Sequence, residues 1–131
     1  MTQEDKQLLF QDLCARLPYK IKALFIDEYD EDHDSYSSFV EAADLDGFVT
    51  NFDGTQYPID QVRPYLLPIS SMNKEQIFEF NSITLRCNTY TIKSCSLIDF
   101  CNRNHIDYRN LIGKGLAIDA TGLNIYKEEI K

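Results

Sequence analysis

Apolar side chains follow two different periods along this chain. Leu9, Phe10, Leu13, Cys14 and Leu17 fall at helical spacing, so one stripe of an N-terminal helix faces a core. Thr2 stands three residues ahead of Asp5 in a capping-box arrangement, and the acids of the first turn suit the positive end of a helix dipole. Pro18 ends this helix, because the residue before a proline avoids the α region. From Tyr19 the pattern becomes that of strands. Lys20 to Glu28 holds Ile21, Leu24, Phe25 and Ile26, Tyr36 to Leu45 holds Phe39 and Val40, and Phe48 to Phe52 is β-branched and aromatic. Asp46-Gly47 and Asp53-Gly54 are turn pairs whose glycines accept the positive φ of a tight primed turn. The stretch from Tyr19 to Ile59 therefore reads as an antiparallel meander of four strands, short enough to curl into a small SH3-like barrel.

Beyond it the pattern is more broken. Pro64 and Pro68 restrict Ile59 to Pro68 to a turn or 3₁₀ segment. Ser70 or Ser71 caps a second helix running to about Phe80, and Ile83 to Ile92 alternates around Cys87-Asn88 as a hairpin would. Ser96 and Asp99 form another capping box, opening a helix through Leu97, Ile98, Phe100 and Cys101. Asp107 caps a short turn from Tyr108 to Ile112 that Gly113 and Gly115 close, and Leu116 to Tyr126 alternates as one or two edge strands around Thr121-Gly122. The fold class expected is α+β with a break near Pro68 to Ser71. Residues 1–70 form a helix plus meander or barrel, and residues 71–131 form a helical and hairpin part packed on it.

Charge sharpens this division. The 131 residues carry a formal net charge of -8, yet between Ala23 and Val62 there is no Lys or Arg and there are eleven acids. The remaining ten acids face 13 basic residues, so the frame around the meander carries +3. That excludes a generic basic nucleic-acid binder, and the 44% hydrophobic content excludes a disordered acidic tail. Met1 to Lys6 is polar and lacks the apolar run of a secretory signal, and no window approaches the roughly 20 apolar residues of a membrane helix. The four cysteines are then expected as reduced thiols of a cytoplasmic protein.

Three stretches carry a likeness: Asp12-Leu13-Cys14-Ala15-Arg16-Leu17-Pro18-Tyr19, Arg63-Pro64-Tyr65-Leu66-Leu67-Pro68-Ile69-Ser70-Ser71-Met72, and Ile98 to Ile112 with Gly115-Leu116-Ala117 after it. Together they resemble an uncharacterised family of small proteins from gut Bacteroides-type bacteria and their phages or mobile elements. The likeness covers both ends and skips the acidic meander. This chain departs from the family pattern at Cys101, where Leu is usual, at Asn104, where it has His, and at Asn110, where it has Gly. The resemblance implies a cytoplasmic protein in mobile-element company and no activity.

Two residue sets could hold a metal. Asp30, Asp32, Asp34 and Glu41 stand at positions 1, 3, 5 and 12 of an EF-hand calcium loop, but Ser35 replaces the glycine of position 6 and the flanks read as strands rather than helices. Cys87, Cys95, Cys101 and His105 resemble the three-cysteine, one-histidine zinc finger that binds single-stranded RNA, without its basic and stacking residues. Cys101 falls on the apolar stripe of a helix, where a free thiol acts as a small core hydrophobe. A nucleophilic Cys95 or Cys101 beside His105 is less economical than accident of packing, and Asp99 and Asp107 read as helix caps. No enzyme, catalytic residue or cofactor is expected. Asp107, Tyr108 and Arg109 are the candidate partner-binding surface, set against an intramolecular Arg-Asp tie as the plainer reading. The function expected is a protein-interaction module whose acidic face meets a basic protein partner, with no membrane and no nucleic acid involved. The alternative is a zinc-dependent RNA-binding protein built on the cysteine set.

Overall fold

Thr2 starts the first helix, α1 (Gln3–Arg16), by accepting the Asp5 amide on its hydroxyl while the Asp5 carboxylate accepts the Thr2 amide. Two N-terminal donors that would otherwise lack partners are satisfied in this way. The structure, a computed structural model, describes residues 1–26, 35–87, 95–123 and 125–126. Leu9 and Leu13 bury the apolar stripe of α1, and Pro18 lies in a 3₁₀ turn, Leu17–Tyr19, that closes on Lys20 in the left-handed region.

The meander forms as its alternation dictates. Strands β1 (Lys22–Ile26), β2 (Ser35–Ala43), β3 (Phe48–Asn51) and β4 (Gln56–Pro58) pair antiparallel in sequence order. Ala23 and Phe25 of β1 and Val49 and Asn51 of β3 face inward while their neighbours are partly or fully exposed. A bulge between Val40 and Ala42 shifts the register of β2 against β3, and Gly47 and Gly54 take φ 88° and 92° in the two turns. The sheet then continues where a turn was expected. Ile59–Gln61 is a 3₁₀ turn, but Val62–Pro68 is a strand, β5, antiparallel to β1 with Ala23 opposite Pro64. Its other edge receives two short parallel strands, β6 (Ile106–Asp107) opposite Leu67 and Pro68 and β7 (Ile118–Asp119) opposite Tyr65 and Leu66. Pro64 thus precedes the residues where β7 joins, at a point flanked, among the described residues, by β1 alone, which is where a residue without an N–H is tolerated in a sheet. The order is β4-β3-β2-β1-β5-β6, and no pairing among the described residues closes it into a barrel.

Two helices connect β5 to β6. Helix α2 (Lys74–Cys87) is capped by Asn73, not by Ser70 or Ser71: Asn73 Oδ1 accepts the Gln76 amide and Gln76 Oε1 accepts the Asn73 amide. It runs through Ile83, Leu85 and Cys87, where the pattern implies a hairpin from Ile83 to Ile92; residues 88–92 of that hairpin lie outside the described residues. Helix α3 (Cys95–Arg103) begins one residue before Ser96. Of the one or two edge strands expected from Leu116 to Tyr126, the tail supplies one, β7, parallel to β5. The fold is therefore α+β, as the patterning implied, with a mixed sheet.

Two groups of buried side chains hold it. One joins Leu9 and Leu13 of α1 to the sheet residues Phe25, Val49, Val62 and Leu66 and reaches forward to Leu111, Leu116 and Ala117. The other joins Ile83, Leu97, Phe100, Cys101 and Ile106. No helix of the described residues is long and apolar enough to cross a membrane.

The turn after β6 makes one steric dependence testable. Asn110 sits at φ 59°, and a Cβ added to Gly113 would lie 2.4 Å from Asn110 Oδ1. Both residues are exposed, so the Asn110 side chain can turn aside; Gly113→Ala should cost less than about 1 kcal/mol, and Asn110→Gly should remove most of that cost. Urea midpoints of the two single variants and the double variant measure it. An equal cost in both backgrounds would show that the Asn110 side chain is not the obstacle.

Candidate functional site

The end of α1 and the segment from Cys101 to Arg109 meet around one buried guanidinium. Arg16, the last residue of α1, is 0% exposed. Its Nε donates to Asp12 Oδ2 at 2.9 Å, its Nη1 to the Cys101 carbonyl at 3.1 Å and its Nη2 to the Ile106 carbonyl at 2.6 Å. Asp12 is equally buried, and its second oxygen accepts Arg109 Nη1 at 2.7 Å. One carboxylate is thus shared by two guanidinium groups, and the Tyr108 ring lies close to both, 5.6 Å from Arg16 Cζ and 4.4 Å from Arg109 Cζ. A buried cation is tolerated only when its donors are occupied, and here three directions of the Arg16 fork are.

Asp107, Tyr108 and Arg109 are accordingly turned toward the chain itself. The Asp107 carboxylate accepts the Leu111 and Ile112 amides, each at 2.9 Å, so it caps the turn as its position suggested. Arg109 is committed to Asp12 and keeps 21% of its side chain exposed. Asp12 and Arg16 were not legible as a site. They are an ordinary i, i+4 ion pair in sequence, and the one available signal was that they fall on the same side of α1 as Leu9 and Leu13.

The metal candidates are only partly placed among the described residues. Cys101 is a core residue among Leu97, Phe100 and Ile106, and burial pushes its thiol up to about 11. The side chains of Cys87 and Cys95 lie outside the described residues. Asp30, Asp32 and Asp34 also lie outside them, and Glu41 is exposed on β2. The elements flanking that segment are two antiparallel strands with Ile26 opposite Ser35, a hairpin connection and not the two helices of an EF-hand. Among the described residues no group of three or more His, Cys, Asp or Glu could hold a metal ion.

His105 has a different role from the one its spacing suggested. It follows α3 at φ 58°, a left-handed position usually given to glycine at a helix end, and its ring stacks on Tyr126 with centroids 3.9 Å apart. The Tyr126 hydroxyl is fixed by the Lys22 amide, at 2.9 Å, and by the carbonyls of Lys22 and Tyr65. Burial, and then the Arg16 charge, lower the His105 pKa from 6.5 to about 4. The folded state therefore holds the neutral ring, and its stabilisation is complete above pH 6.5. It is lost as pH falls from there toward 4, because the unfolded chain takes up the proton first. A His105→Phe variant should show a shallower loss of stability than wild type across that window, by urea unfolding at stepped pH. Parallel slopes would exclude His105 as the source.

A groove of about 440 Å³ lies between α1 and the β2–β3 turn. Phe10, Leu45, Phe48 and Ile59 supply its apolar lining and Asp44, Asp46 and Asp60 its acidic rim, with Lys6 the lining cation. The turn is held by its own bonds: Asp44 Oδ1 accepts the Asp46 amide at 3.0 Å and the Phe48 amide at 3.1 Å. That closure leaves Leu45 92% exposed. The next turn repeats the device. Asn51 Oδ1 accepts the Asp53 and Thr55 amides, Asp53 accepts both the amide and hydroxyl of Thr55, and Phe52 stands 72% exposed. The Thr55 bonds hold the Asp53 carboxyl below the usual carboxylate range. Chemically, the arrangement offers rigid apolar projections between carboxylates and places no nucleophile beside a base.

Fold and groove define an α+β domain with a mixed sheet and an acidic, apolar-floored surface feature. No protein family, curated protein or solved structure matches the chain.

Proposed function

We propose that this protein is a non-catalytic interaction module of the cytoplasm that receives a short basic and apolar segment of a protein partner in the groove between α1 and the β2–β3 turn. One observation carries the reading: Leu45 and Phe48 project from a turn closed by its own hydrogen bonds, with Asp44, Asp46 and Asp60 around them. A side chain as exposed as Leu45 gains by burial against a partner, and a turn already rigid loses little freedom in binding. Carboxylates at the rim select a partner of opposite charge and speed the encounter. The buried Asp12–Arg16–Arg109 network anchors α1, one wall of the groove, and its side chains are consumed by that task.

The test is a titration with synthetic peptides graded from Lys/Arg plus Leu/Phe to acidic controls, at low and high salt. Basic and apolar peptides should bind best, and salt should weaken them. Leu45→Ser should reduce affinity about tenfold, and Asp46→Asn with Asp60→Asn by a similar factor at low salt only. The reading is lost if acidic controls bind as well, or if these variants, folded by circular dichroism, bind like wild type.

A further inference from the structure

A second and larger cleft, about 770 Å³, shares no lining residue with the acidic groove. It opens where the Leu17–Tyr19 turn, β1 and β2 meet the start of α2, the end of α3 and residues near Tyr126. Among the described residues its charge is opposite to that of the protein: Lys20, Lys22 and Arg103 line it and no described carboxylate does, in a chain of net charge -8. Arg103 is occupied by Glu79 at 3.0 Å, with Asp99 at 3.9 Å. Lys20 and Lys22 have no carboxylate partner among the described residues, and Lys22 Nζ rests 4.8 Å from the Phe39 ring centroid. His105 also lines the cleft. It is 7% exposed, and its Nδ1 is buried with no hydrogen-bond partner among the described residues. A buried polar atom without a partner is uncommon and calls for a group that completes it.

We propose that this cleft binds a phosphorylated small molecule, with the phosphate held by Lys20 and Lys22 and a polar group of its body hydrogen-bonded to Nδ1 of His105. Two ammonium groups act as compact point charges and suit a dianion, whereas a planar carboxylate is matched better by an arginine fork, and the fork at hand is taken by Glu79. The volume is far greater than a bare ion needs and falls within the range of small-molecule sites, so the organic body is part of the ligand. A neutral imidazole can donate or accept at Nδ1, which permits a hydroxyl or amide on that body.

The test is calorimetric and amide-shift titration of the whole chain with ribose 5-phosphate, glucose 6-phosphate and adenosine monophosphate. Each is compared with its unphosphorylated parent, with inorganic phosphate and with citrate, at constant ionic strength. At least one ester should bind saturably, shift the amides of Lys20, Lys22 and His105, and bind about tenfold more tightly than inorganic phosphate or its parent. Lys22→Gln and Lys20→Gln should each weaken the ester about tenfold, whereas Lys6→Gln, the same charge change in the acidic groove, should not. His105→Phe keeps a ring against Tyr126 and should weaken the ester more than inorganic phosphate. The proposal is overturned if no ester saturates, if inorganic phosphate or citrate binds as tightly as every ester, or if Lys22→Gln and Lys6→Gln behave alike.

Discussion

Arg16→Ala is expected to lower stability by about 3–5 kcal/mol, the range for breaking a buried ion pair by removing one partner. The loss has two parts. The Cys101 and Ile106 carbonyls lose their donors in a dry environment, and the Asp12 carboxylate is left with Arg109 alone. Arg16→Lys should recover little, since one ammonium on a flexible stem cannot reproduce a planar fork aimed at three acceptors. The residue also ties two bodies of apolar side chains: it stands on α1, which packs in the first, and bonds the backbone at Cys101 and Ile106, which belong to the second. Urea unfolding followed by circular dichroism and by tyrosine fluorescence should coincide in wild type and separate in Arg16→Ala. A loss below about 1 kcal/mol, the size of a surface ion pair, would mean that the network is solvated and not structural.

Phe100→Ala is expected to cost about 3–5 kcal/mol, as large-to-small changes at buried aromatics do. Phe100 is 0% exposed, with the Phe80 ring 6.0 Å away and Arg103 Cζ 5.8 Å from its own ring. The group it belongs to is the smaller of the two, so fewer neighbours can close over the void. Hydrogen exchange should lose protection first in α2 and α3, ahead of β1 and β5. Leu85→Ala on the same helices, at a side chain 74% exposed, should change stability by less than about 0.5 kcal/mol. Equal effects of the two substitutions, or uniform loss of protection across the sheet, would contradict this account of the second core.

Local signals explain what the sequence disclosed. The meander was legible because alternation and Asp-Gly turns act over a few residues, and α1 because its cap and its stop are both adjacent to it. Strand β5 was hidden by Pro64 and Pro68, whose cost depends on which edge of the strand is vacant, a fact that lives in the pairing with β1 and β7. The end of α2 was hidden because Ile83 and Leu85 alternate in sequence, yet one is 3% exposed and the other 74% exposed on a helix. The acids of the groove could be read, but Phe10 on its far wall could not be assigned to it. Asp12 and Arg16 carried charges that a pattern places outside, and their burial follows from carbonyls and a second arginine far along the chain. The spacing of His105 from the cysteines points to a metal set, whereas its ring is matched by Tyr126, which has no periodic relation to it.

The partners of α1 arrive late. Its charged pair is covered by groups 85, 90 and 97 residues downstream, and Leu111 and Leu116 complete the apolar face it leans on. Contacts of such long separation make folding slow, because the loop must close before the contact rewards it. During synthesis α1 emerges well before Cys101, Ile106 and Arg109, so Asp12 and Arg16 wait for these partners. In the interval the inward face of α1 is open to a chaperone or to another nascent chain.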